Sequence, residues 1–250
     1  MEEALQVQGW RELGYPGKWI LYMILFVATL IGMKYVLHTQ LPDGGRPPYL
    51  FMLWNTFLAW IPLGLAVVLD MISLLKGKML KLVLFLGAGL LWLFFYPNAA
   101  YLITDMLHPF HRYPIGSGAG IRFWEENLFW DHLFTMFFAA LLGLAIASAS
   151  LASVHALVRK YLGAVMGWIF AVCVLLLSCF GVYLGRFIRW NSWDVLQDPL
   201  RIIGETIIYL MDFEYLRHAI GFCKWIFLIS LFCYVFAYYF GVMQDNKARR

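Results

Sequence analysis

Residues 162–184 read LGAVMGWIFAVCVLLLSCFGVYL, a run with no charged side chain and no proline. A helix of this length spans about 34 Å at 1.5 Å per residue. That covers the hydrocarbon core of a bilayer, which is roughly 30 Å thick. Lipid offers no partner to a free amide or carbonyl, so such a run must close its hydrogen bonds within itself. The run predicts a transmembrane helix. Working outward, the same criterion picks residues 130–151 and 220–243 on either side, then 19–37, 49–74 and 80–100 toward the N-terminus. The expected fold is all-α: a polytopic transmembrane helical bundle of about six spans, forming one integral membrane domain over residues 1–250.

Composition supports this. Hydrophobic residues make up 62% of the chain and charged residues 14%, and the mean hydropathy is +0.72. Soluble domains carry about 25% charged residues, because water must be met with polar surface. This chain cannot cover a globule that way, so its main partner is the lipid bilayer. Cys173, Cys179, Cys223 and Cys233 lie inside apolar runs and read as small buried hydrophobes. The modest pI of about 8.8 reflects loop bases and does not imply nucleic acid. The polar N-terminus carries acids as well as bases, and no small-residue cleavage site follows the first span. That span is read as uncleaved.

Loop charges set the orientation. Lys76, Lys78 and Lys81, and the terminal Lys247, Arg249 and Arg250, are juxtamembrane and uncompensated on one side. The opposite side interleaves its arginines with acids. The expectation is a multi-pass protein of the bacterial cytoplasmic (inner) membrane with both termini cytoplasmic. Pro62 is expected to kink the second span. Lys34 and Asp70 lie inside spans but near their ends, where they are expected to reach headgroups. In the fifth loop, Asp198 and Pro199 read as an N-cap and first helical position. Leu200, Ile203, Ile207, Leu210 and Met211 follow at helical spacing. This predicts an outer-face amphipathic helix between spans five and six, lying on the leaflet or packed on the bundle as a lid.

Projected onto this topology, the polar residues gather at one level. Asn55 lies near the outer end of span two, and Asn98, Asp105 and His108 lie where span three finishes. Asp131 opens span four, while Arg186, Arg189, Asn191 and Asp194 leave span five. All reach the outer membrane interface. Asp105, His108 and Asp131 form a candidate catalytic set and a candidate divalent metal site, since an aspartate and a histidine three apart share a helical face and a third carboxylate leaves an open position. Arg186 and Arg189 suit a phosphate or carboxylate. Asn191, Asp194, Asn98 and Asn55 complete a candidate substrate-binding surface. Structural pairing of the arginines with Asp105, Asp131 or Asp194 is the competing reading. Pro97-Asn98 either breaks the third helix and frees carbonyls, or simply ends it.

Certain segments are distinctive as letters. NTFLAWIPLGLA (55–66), FYPNAAYLITDMLH (95–108), Trp130-Asp131, and GVYLGRFIRWNSWD (181–194) with the following Pro199 resemble a family of bacterial membrane proteins, the domain of unknown function family 1361. The resemblance runs from Asn55 to Pro199. The chain has Ala100 where members of that family usually have proline. The resemblance implies a polytopic bacterial protein and brings no activity with it. Other chemistries find no support: Gly116-Ser117-Gly118 sits in a loop, Glu125-Glu126 lacks the arginine a glutamate protease needs, and there is no phosphate-binding glycine loop. The expected function is action on, or binding of, an anionic lipid headgroup or lipid-linked envelope substrate at an outward-facing site. The alternatives are a structural subunit with a membrane-protein partner and, less favoured by uncharged span centres, a small transporter.

Overall fold

The computed structural model describes residues 8–41, 45–112, 123–190 and 197–248. These are helical almost throughout, with no strand among the described residues. Six helical stretches are long and apolar enough to cross a membrane: Gly17–His38, Phe51–Ser73, Lys78–His111, Asn127–Leu162, Ala164–Ile188 and Phe213–Gly241. We number the helices α1 (Gly17–His38), α2 (Phe51–Ser73), α3 (Lys78–Phe95), α4 (Pro97–Tyr101), α5 (His108–Arg112), α6 (Asn127–Leu162), α7 (Ala164–Tyr183), α8 (Pro199–Met211) and α9 (Phe213–Ala248). A 3-10 segment, Leu102–Leu107, joins α4 to α5, and a π turn, Leu184–Ile188, extends α7.

The hub is α6. Of its most apolar window 72% is buried, against 11% for Lys78–His111. Its sequence explains this: Ala139, Ala140, Gly143, Ala147, Ser148 and Ser150 all face inward. Helices gain nothing from hiding apolar surface in lipid, so they associate through close packing and hydrogen bonds, which small residues permit. Met136, Ile146 and Leu151 of α6 pack in one core with Leu63 and Leu69 of α2 and Trp92 of α3. Trp92 Nε1 donates to Ser150 Oγ at 2.9 Å, and Ser150 donates to the Pro62 carbonyl at 2.9 Å. The helix α2 continues through Pro62.

Two boundaries differ from expectation for physical reasons. Residues 152–161, read from sequence as a basic loop, continue α6 to Leu162. Nothing in them breaks a helix, and Ser153, Val154, His155 and Leu157 extend the buried face. The stop is Gly163 at φ +89°, a conformation glycine takes without strain. Its N–H closes on the Arg159 carbonyl at 3.0 Å. The third span also runs on past its expected end at residue 100, because α4 continues the helix after Pro97 and the chain then tightens into the 3-10 segment Leu102–Leu107 instead of ending.

The helix α8 forms where the sequence places it. The Asp198 carboxylate accepts the Arg201 N–H at 3.2 Å, with Pro199 at the first helical position. Ile202 and Thr206 are buried, while Leu200, Ile203, Ile207 and Met211 are exposed. Packing against α9 therefore uses a narrow edge, and a broad apolar face points away from the protein.

Candidate functional site

The polar residues gather at the two ends of the bundle. At the end away from the termini, Asp105 is the centre. The chain reaches it through the break at Tyr96-Pro97. Proline has no N–H, so the turn above tightens, and Ala99 N–H bonds to the Tyr96 carbonyl at 3.3 Å. Asn98 Nδ2 donates to the Phe95 carbonyl at 3.0 Å, satisfying an acceptor the break leaves behind. Thr104 Oγ1 closes on the Tyr101 carbonyl at 2.8 Å. In a 3-10 helix residues three apart eclipse, so Leu102, Asp105 and His108 share one face. Leu102 and Asp105 are both buried.

Glycines clamp this segment from two sides. A Cβ on Gly143 of α6 would lie 2.4 Å from the Ala99 carbonyl oxygen and 2.9 Å from Leu102 Cβ. A Cβ on Gly181 of α7 would lie 2.7 Å from Pro97 Cγ. Only glycine admits backbone so close, and α4 is thereby fixed between the two helices.

Around Asp105, Asn55 Nδ2 donates to Oδ2 at 3.0 Å. His108 Nε2 stands 3.6 Å from Oδ1, and Arg186 Nη1 stands 3.9 Å from the same oxygen. The Asp105 side chain is 1% exposed and that of Arg186 is 23%. A charge-assisted hydrogen bond closes to about 2.7–2.9 Å, so Arg186 is near its partner without being locked to it. Beside this lies an aromatic layer: Tyr183 OH is 3.2 Å from His218 Nδ1 and 3.4 Å from Tyr209 OH.

The structure thus brings together Asn55, Asp105, His108 and Arg186, with Asn98 supporting the turn beneath them. Asp131 does not join them. Adjacent helix residues point about 100° apart, and at this position His132 takes the inward direction. His132 is fully buried, with Nδ1 2.7 Å from Tyr49 OH and Nε2 3.2 Å from the Gln40 carbonyl. Asp131 is exposed on the far face, toward α1. Among the described residues, no three of His, Cys, Asp and Glu come together to hold a metal. The set Asp105, His108 and Asp131 therefore lacks its third ligand. Arg189 also stands apart. It is exposed and left-handed at φ +66°, and the π turn before it shifts it off the face of Arg186. Asn191 and Asp194 lie outside the described residues.

The second polar centre, at the end bearing the termini, was not anticipated. Asp70, expected to reach headgroups, has no exposed surface. Its Oδ2 accepts from Lys18 Nζ at 2.6 Å, Ser153 Oγ at 2.8 Å and Tyr15 OH at 3.0 Å. Burial and the Asp70 carboxylate hold the Tyr15 phenol above its usual pKa. An acid inside lipid must find a cation, and Lys18 stands at the same end in a six-span topology. That was the available signal. Above it, His155 Nδ1 is 2.5 Å from Tyr234 OH and the imidazole packs against Trp168 and Tyr238. This centre ties α1, α2 and α6 together, and α6 to α9.

Residues 54–241 match the family described as "Protein of unknown function (DUF1361)". No curated protein and no solved structure matches the chain.

Proposed function

The chain belongs to the DUF1361 family, and from its geometry we propose that it binds the anionic headgroup of a lipid or lipid-linked envelope molecule at Arg186. The observation that carries this reading is the 3.9 Å separation of Arg186 Nη1 from Asp105 Oδ1. An arginine used only to lock helices closes on its carboxylate, ideally through both prongs of its fork. Among the described residues the guanidinium has no closed ion pair and is partly exposed, with donors to spare for a phosphate. Asp105 and His108, facing each other at 3.6 Å, are able to take up or release a proton beside the bound group. In this reading the protein sits in the bacterial cytoplasmic membrane with both termini cytoplasmic, so the site serves the outer leaflet. The juxtamembrane lysines Lys76, Lys78 and Lys81 at the terminal end support that orientation.

The test is direct binding. Protein in neutral nanodiscs is titrated with short-chain phosphatidylglycerol, a polyprenyl phosphate and inorganic phosphate. Arg186→Gln is expected to weaken the lipid-borne anions about ten-fold or more, the value of one charge-assisted contact, with little change in melting temperature. Unchanged binding in Arg186→Gln, together with strong stability coupling between Arg186 and Asp105 in a double-mutant cycle, refutes the reading in favour of a structural lock. Tightest binding by inorganic phosphate would assign the site to a soluble anion.

A further inference from the structure

Between α1 and the start of α6 lies a cleft of about 530 Å³, well within the roughly 300–1,000 Å³ of ligand pockets. Its two ends differ in chemistry. Toward the middle of the bundle its walls are Ile31, Phe134 and Phe138, and the helices meet there because Gly32 lets the Phe138 ring approach. Toward the end of the bundle the lining turns polar, with His38, Gln40, Asp131 and Thr135. From Ile31 to His38 is about 10 Å along α1, and the extended chain at Thr39 carries the lining further, close to half of the roughly 30 Å bilayer core. The cleft is therefore one leaflet deep, apolar at the leaflet's foot and polar at its surface. That is the outline of a single amphiphile standing parallel to the helices.

The polar end also specifies a headgroup. No lysine or arginine among the described residues lines the cleft. Among the described residues the Asp131 carboxylate has no ion-pair partner; its backbone carbonyl accepts from Thr135 Oγ1 at 2.7 Å. His38 Nδ1 lies 2.7 Å from the Lys34 carbonyl. A carbonyl can only accept, so Nδ1 donates in that bond, while the Gln40 amide oxygen and the Thr135 hydroxyl oxygen are able to accept. The head end offers a negative charge and acceptors, which suits a primary ammonium and not a bare phosphate. We propose that this cleft seats one aminophospholipid of the ethanolamine type, its chain against Ile31, Phe134 and Phe138 and its ammonium at Asp131. The site is separate from Arg186 and opposite in charge preference. Between them stand His132, Tyr49, Phe51 and His108, joined by a 2.7 Å bond and edge-to-face ring contacts.

Native mass spectrometry tests this on the full chain, purified in neutral detergent and equilibrated with equal amounts of phosphatidylethanolamine, phosphatidylglycerol and phosphatidylcholine. One retained ethanolamine lipid is expected, in about ten-fold excess over the other two, since an ammonium contributes a charge-assisted bond that choline and glycerol heads lack. Asp131→Asn, nearly isosteric, is expected to bring the three lipids to parity. Thr135→Trp fills the cleft and is expected to abolish the adduct without changing the helical circular-dichroism signal. Arg186→Gln is expected to leave the ethanolamine adduct intact, so the result stands or falls apart from the phosphate reading. Equal retention of the three lipids by the unaltered protein overturns the proposal. So does a preference that survives Asp131→Asn, or an adduct that survives Thr135→Trp.

Discussion

Replacing Gly143 by alanine adds one methyl group where α6 crosses α4 at close range. The new Cβ would stand 2.4 Å from the Ala99 carbonyl oxygen and 2.9 Å from Leu102 Cβ. Ordinary carbon–oxygen contacts begin near 3.3 Å, so the first clash is about 0.9 Å deep. Its partner is backbone, not the tip of a flexible side chain. Relief requires α4 to move away from α6, yet Gly181 already holds Pro97 against α7 on the other side. Overpacking of a tight core costs about 1–3 kcal/mol, and the double constraint argues for the upper end. Gly64 supplies the control, since a Cβ there meets nothing within 4 Å. Alanine at that position gains helix propensity of up to about 1 kcal/mol. With about 2–4 °C per kcal/mol for a chain of this size, Gly143→Ala is expected to melt roughly 10 °C below Gly64→Ala. Both are to be measured in the same micelle by loss of helical circular dichroism. Melting temperatures within 2 °C of each other would refute the clamp, since the two substitutions are chemically identical.

Other consequences are open to measurement. Lys18→Met leaves Asp70 buried without a cation and is expected to cost about 3 kcal/mol, read as a lower unfolding temperature. Combining it with Asp70→Asn is expected to restore most of the loss, and no recovery would argue against the pair. Asn55→Ala removes the 3.0 Å bond to Asp105 and is expected to cost about 1–2 kcal/mol, readable as an earlier unfolding midpoint in a denaturant titration. Asp198→Ala removes the N-cap of α8, worth about 1 kcal/mol. Amide exchange over residues 200–205 should then accelerate several-fold, with α9 unaffected.

The spans were legible because each is a run of apolar letters whose length the bilayer dictates. The N-cap of α8 was legible because Asp198-Pro199 is a local signal. Side-chain direction was less so, since it depends on helix type. Asp105 and His108 share a face whether the turn is α or 3-10, so that grouping can be read from spacing. Arg186 and Arg189 have the same spacing, but Arg186 lies in a π turn and Arg189 follows it in a left-handed conformation, where spacing no longer gives direction. For Asp131 and His132, only the packing against Tyr49 and Gln40 decides which residue turns inward. Asp70 shows the remaining gap: its place near a span end is visible in the sequence, while its partner lies 52 residues away.

The lengths of α6 and α9 bear on the membrane itself. Each has 36 residues, about 54 Å at 1.5 Å per residue, against roughly 40–45 Å for a whole bilayer with its headgroups. Neither fits upright without its ends standing clear of the lipid. Near the termini the two are tied together, Arg159 of α6 donating to Tyr238 of α9. A rigid pair longer than the membrane is thick meets a thinner or thicker bilayer by leaning, and both rods must lean together. The pair's tilt therefore responds to membrane thickness, and with it the depth of Arg186 and of the cleft beside α1 at the end away from the termini.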